Sequence, residues 1–136
     1  MVNCREKLCP SDIAVIGGGR WSRVFIEILC GLIPPTTKLS VYTPHNAVAM
    51  SAWVSENGFD QHIQVSSDLP QLLAGKSNAV IVVNAARDHE KAIEWALSCG
   101  SSVLVEKPIT LNFSDSQRLA DLANNQNTYF ASAHVF

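Results

Sequence analysis

Residues Ala79–Val83, AVIVV, are five consecutive apolar residues with no alternation between apolar and polar positions. A strand with one wet face alternates; a strand without alternation must be covered on both faces. Helices therefore have to lie above and below the sheet that holds it. The rest of the chain supplies that pattern. Ile13–Ile16, Leu39–Tyr42, Ile63–Val65, Ser102–Val105 and Tyr129–Ala133 are further short apolar runs, and helical periodicity fills the intervals between them.

The first helical interval carries Val24, Phe25, Ile28, Leu29 and Leu32, expected as its buried face, and stops near Gly31 before Pro34-Pro35. The second carries Ala49, Ala52 and Trp53 on one expected face and ends at Asn57-Gly58. A short helical turn capped by Asp68 is expected in DLPQLLAG. His89, Ala92, Ile93, Ala96 and Leu97 form the next face, closed by Gly100, and Phe113 to Ala123 the last. Six strands interleaved with helices predict an α/β fold, a doubly wound parallel six-stranded sheet. The 136 residues, 47% of them hydrophobic, suffice for one core, so residues 13–136 are read as one domain after an extension over 1–12.

Charge and composition narrow the function classes. Lys plus Arg number 10 against 12 for Asp plus Glu, a net charge of −2, so nothing argues for nucleic acid or an anionic membrane as partner. No apolar run approaches the length of a membrane span. The N-terminal MVNCREKLCPSDIAV lacks the apolar centre of an export signal, and the expectation is a cytoplasmic protein. Cys4, Cys9, Cys30 and Cys99 include no CxxC pair, which points to reduced thiols and no metal site. Cys30 and Cys99, each near a helix end, read as small buried apolar residues.

Three adjacent glycines, Gly17, Gly18 and Gly19, follow the first strand directly and open the first helix. Such a run loses much backbone entropy on folding and needs a reason. A dinucleotide fingerprint provides one: the first glycine turns the chain, and the second lets the backbone approach a pyrophosphate at the helix N-terminus, where free N–H groups and the dipole favour negative charge. The third position, which packs helix on strand, is Ser22. A plain strand-to-helix turn is the alternative. No Gly-Lys-Ser/Thr ending follows, which speaks against a nucleoside triphosphatase.

The second fingerprint element, an acid after strand two that binds the adenosine ribose, is missing. The strand ends VYTPHN, and Thr43 holds the place of the acid. Without a carboxylate to repel a 2′-phosphate, NADP is favoured over NAD, with Thr43, His45 and Asn46 as hydrogen-bond donors to the phosphate. The same residues equally build a proline turn.

Val80 to Ala123 carries a further pattern. Asn84-Ala85-Ala86-Arg87-Asp88-His89 joins strand four to a helix opened by His89, and Glu106-Lys107-Pro108 ends strand five. Together with the glycine loop, this resembles the nucleotide domain of the glucose–fructose oxidoreductase and inositol dehydrogenase family (Gfo/Idh/MocA), from Ile13 to Phe136. The resemblance implies a Rossmann-type fold and a dinucleotide cofactor. The cofactor residues it implies are Gly17, Gly18, Gly19, Arg20, Trp21, Thr43, Asn84, Ala85, His89, Glu106, Lys107 and Pro108. The usual Thr-Pro of the strand-four loop is absent here. Lys107 inherits a catalytic role, as proton donor or acceptor beside the nicotinamide; the alternative is a solvated lysine at a strand end. His89 is expected to be satisfied locally rather than to act as an acid, and Trp53 and Trp95 to serve packing.

Family enzymes continue into a second domain that binds substrate and mediates oligomerisation, whereas this sequence stops at ASAHVF. The expectation is thus the NAD(P)-binding part of an oxidoreductase acting on a sugar, polyol or related carbonyl or imine, inactive without that domain, with self-association through the exposed face. The alternative is a stand-alone, non-catalytic nucleotide-binding or sensor module. A methyltransferase using the same glycine turn would leave Glu106-Lys107-Pro108 without a purpose.

Overall fold

The computed structural model describes residues 13–68 and 79–134. The expected extension over 1–12, with Cys4 and Cys9, and the helical turn expected beyond Asp68 lie outside the described residues. Strands β1 (Ile13–Ile16), β2 (Leu39–Tyr42), β3 (Ile63–Ser66), β4 (Ala79–Val82), β5 (Ser102–Glu106) and β6 (Phe130–Ala133) form one sheet in the order β3-β2-β1-β4-β5-β6. Every pair is parallel: Ile13 lies level with both Leu39 and Ala79, and Val82 pairs with Val105. Among the described residues the helices are α1 (Arg20–Leu32), α2 (Ala47–Glu56), α3 (His89–Ser98) and α4 (Phe113–Gln126), with a 3-10 turn at Ala86–Asp88 leading into α3. This is the Rossmann-type α/β sheet expected from the pattern, reversing direction of growth between β1 and β4.

Successive residues of the central strands serve opposite faces. Ala14 and Ile16 of β1 join Val80, Val82, Val103 and Val105 beneath Ile93, Leu97 and Leu119 of α3 and α4. Val15 joins Val41 and Ile81 beneath Ile26 of α1 and Met50 and Val54 of α2. Burial on both faces is why AVIVV could dispense with alternation. Trp53 packs beside Phe59 with ring centroids 5.8 Å apart, and the Arg23 guanidinium lies 5.6 Å from the Trp53 ring centre, linking α1 to α2. Trp95 packs against the other cluster. Asn112 caps α4, its Oδ1 accepting from the Asp115 N–H at 2.9 Å.

The phases of two helices differ from expectation. In α1 the fully buried residues are Ser22 and Ile26, while Ile28 is 54% and Leu32 77% exposed. The phase is set where α1 leaves the glycine turn: residue 22 must lie against the sheet, and a serine there carried no apolar signal. In α2, Met50 and Val54 are buried and Ala49 and Ala52 exposed. AVAMSAWVSE is apolar on nearly every side, so its periodicity could not select a face. Cys30 and Cys99 are half-buried rather than buried. Burial pushes the Cys30 thiol up, which keeps it protonated and poorly nucleophilic. Among the described residues, no helix is long and apolar enough to cross a membrane.

Candidate dinucleotide cleft

The carboxyl ends of β1, β2 and β4 open onto a cleft of about 530 Å³. Its floor is the glycine turn, and each glycine answers a different demand. Gly17 has φ +144, and a Cβ there would lie 2.9 Å from the Val83 carbonyl and 3.0 Å from the Asn84 nitrogen. Only glycine fits that conformation and that approach to the β4 backbone. A Cβ on Gly18 would collide with the side chain of Thr43. Gly19 has open space where a side chain would stand. It is the N-cap of α1, with no side-chain cap and no acid in the first turn, so the positive end of the helix is left for a ligand.

Ser22 stands at the place of the fingerprint's packing glycine and bonds to the first glycine of the turn. Fully buried, its Oγ donates to the Gly17 carbonyl at 2.7 Å, fixing α1 to the turn. Ser22→Ala keeps the size and removes the bond, so unfolding in urea should show a loss of about 1–2 kcal/mol. An unchanged midpoint would mean the turn does not depend on this hydroxyl.

The walls come from the loops after β2 and β4. Thr43, 3% exposed, lies against Gly18, and its Oγ1 accepts from the Asn46 N–H at 3.3 Å. Pro44, His45 and Asn46 continue that wall, and Asn84, Ala85, Arg87, Asp88 and Lys91 form the opposite one. Of the residues singled out in the sequence, the cleft unites Gly17, Gly18, Gly19, Thr43, His45, Asn46, Asn84 and Ala85. Arg20 and Trp21, both exposed at the start of α1, do not line it, nor do His89, Glu106, Lys107 and Pro108. Lys107 and Pro108 are exposed just past β5, joined by a cis peptide bond. The sequence pattern does not mark Arg87 and Lys91 as cleft cations, although their place soon after β4 is the available signal. Arg87 is 81% exposed and meets Asp88 at 3.8 Å, too loose a pair to neutralise it.

Two buried oxygens near this edge, Asn84 Oδ1 and Glu106 Oε2, find no hydrogen-bond partner among the described residues. Unpaired acceptors are costly to bury. They suit hydroxyl or amide donors rather than phosphate. With the open Gly19 cap for an anion, the residues fit a dinucleotide: phosphate at the helix end, hydroxyls and amide toward β4 and β5. Among the described residues, no three His, Cys, Asp or Glu side chains gather as for a metal. A wider open groove of about 650 Å³ between α3 and α4, including Glu94, Phe113 and Arg118, offers no comparable set of unpaired groups.

Residues 11–134 match the model of the Gfo/Idh/MocA oxidoreductase family, NAD-binding Rossmann fold. An uncharacterized oxidoreductase of Schizosaccharomyces pombe is 26% identical over 121 residues, 88% of this chain and 32% of that protein. The crystal structure of GenD2 from gentamicin A biosynthesis, in complex with NAD, is 27% identical with a TM-score of 0.77, covering 89% of this chain and 33% of that one. UDP-N-acetylglucosamine 3-dehydrogenase from Acidithiobacillus ferrooxidans shares the fold at 23% identity and a TM-score of 0.75, over 92% of this chain and 37% of that one. The chain thus spans about a third of the length of the relatives it matches.

Proposed function

The chain belongs to the Gfo/Idh/MocA oxidoreductase family as its NAD-binding Rossmann domain, and on that premise we propose that its cleft holds NADP in preference to NAD. The observation that supports dinucleotide binding is the open Gly19 cap of α1 beside two glycines that tolerate no side chain. Gly17, Gly18 and Gly19 would receive the pyrophosphate, and Thr43, His45 and Asn46 the adenosine end. Asn84, Ala85 and Glu106 would meet the nicotinamide half. No carboxylate stands at Thr43 to repel an additional phosphate at the adenosine end, while the charges of Arg87, Asp88 and Lys91 lie on the opposite wall.

A bound nicotinamide dinucleotide supplies hydride chemistry. The chain's own contribution to that chemistry is Lys107, whose Nζ holds a proton beside the carboxyl edge of the sheet. The proposed whole-protein activity is hydride transfer to or from a sugar, polyol or related carbonyl or imine, Lys107 exchanging the proton of the reacting oxygen or nitrogen. Reaction also needs polar groups that orient the substrate from its other side. The 136 residues alone are therefore proposed to bind dinucleotide without turnover.

Calorimetric titration with NADPH and NADH tests the cofactor assignment. Thr43→Asp should keep the acceptor for the Asn46 N–H, bind a ribose 2′-hydroxyl and repel a 2′-phosphate. The expected result is a shift of about tenfold toward NADH. Wild-type protein that already prefers NADH would contradict the assignment to NADP.

A further inference from the structure

His89 opens α3 and is 1% exposed, yet it contacts two loops rather than its own helix alone. Its Nδ1 lies 2.7 Å from the Pro108 carbonyl oxygen and its Nε2 3.0 Å from the Asn84 carbonyl oxygen. A neutral imidazole donates from one nitrogen at a time and a doubly protonated one from both. Both ring nitrogens face main-chain carbonyls rather than the cleft, and since a carbonyl only accepts, both contacts are hydrogen bonds when each nitrogen carries a hydrogen. His89 is thus placed as a bridge between the end of β4 and the segment that follows β5.

The position of the bridge gives it a consequence. The β4–β5 ladder is in register as far as Val82 and Val105. Past it, the imidazole spans from Asn84 to Pro108, the residue after Lys107. Each gripped segment also carries one of the buried unpaired acceptors, Asn84 Oδ1 and Glu106 Oε2. We propose that His89 is a positioning residue that holds these two segments together and so shapes the half of the site that receives the nicotinamide nucleoside. The assignment of halves rests on the dinucleotide reading: the adenosine lies over β2, so the remaining nucleoside faces β4 and β5.

The test compares NADH with ADP, which lacks the nicotinamide nucleoside, by calorimetry on the wild-type chain, His89→Phe and His89→Gln. Wild-type protein should bind NADH more tightly than ADP. His89→Phe, which keeps a planar ring without donors, should lose about tenfold in NADH affinity and leave ADP affinity within about twofold. His89→Gln, which retains an amide donor, should recover part of the difference. A change in general stability would weaken both ligands alike, so an unaltered ratio in folded His89→Phe overturns the proposal. Nitrogen-15 NMR of the wild-type ring decides the bridge without any variant. Both ring N–H groups should be protected from exchange, Nδ1–H close to Pro108 and Nε2–H close to Asn84, and a ring with fewer than two protected N–H groups, which bonds at most one segment, overturns it. Failure of the wild-type chain to bind NADH, ADP and NADPH alike would refute the dinucleotide reading, and the ring N–H groups would still decide the bridge.

Discussion

Gly17→Ala is expected to destabilise the domain by more than about 3 kcal/mol, a large share of the stability of a domain this size. Two effects act together. At φ +144 an alanine is strained whatever space surrounds it, and here the space is taken: its methyl would sit 2.9 Å from the Val83 carbonyl. The obstacle is backbone of β4, at the centre of the sheet, and cannot swing aside as a side chain tip could. The Gly17 N–H also donates to the Tyr42 carbonyl at 2.8 Å, so a shift of this residue would disturb β2 as well. Urea denaturation followed by circular dichroism would detect the loss. A variant with the wild-type midpoint would show that the turn can relax, and the tight approach would not be a requirement of the fold.

Gly19→Val should have the opposite profile, with the fold kept and dinucleotide binding weakened by at least about a hundredfold. Nothing lies within 4 Å of a Cβ at this position, and its backbone angles, φ −90 and ψ −169, are extended ones that a β-branched residue adopts easily. Replacing an N-cap glycine by valine costs about 1 kcal/mol or less of helix stability. The isopropyl group would fill the space over the α1 N-terminus where a pyrophosphate approaches. Calorimetry with NADPH and NADH, beside a thermal melt, separates the two effects. Unchanged affinity in a folded variant would reduce the glycine run to a strand-to-helix turn.

The two glycines also mark how much of the fold is legible in the sequence. Position after a strand and before a helix was enough to identify the turn, and the strand runs fell within a residue or so of their observed bounds. The face of α3 was legible because His89, Ala92, Ile93, Ala96 and Leu97 are all buried against the sheet and flanked by charged residues. The faces of α1 and α2 were not. In α1 the buried stripe begins with a serine whose burial is compensated by a bond to Gly17, and hydropathy is blind to that exchange. In α2 apolar residues surround the helix, leaving the choice of face to tertiary packing.

The candidate site divides in the same way. Residues adjacent to strand ends were found by their place in the chain, because a parallel sheet brings its carboxyl ends to one edge. The division of labour among them depends on side-chain direction, which spacing does not encode. Arg87 and Lys91 line the cleft while Lys107 stands outside it. His89 turns both ring nitrogens to main-chain oxygens, one of them 19 residues away. Thr43, read as a substitute for a ribose-binding acid, is also the side chain that requires a glycine at position 18.

The central claim is that a dinucleotide lies over the Gly17–Gly19 turn between the loops that follow β2 and β4. Nitrogen-15 NMR titration of the wild-type chain with NADPH addresses it most directly, since each backbone amide reports separately. The predicted result is saturable movement of the Gly17, Gly18, Gly19, Asn46, Asn84 and Arg87 amides, with those of α4 and β6 unmoved. Movement confined to the groove around Glu94, Phe113 and Arg118, or none at all in the folded chain, would contradict it.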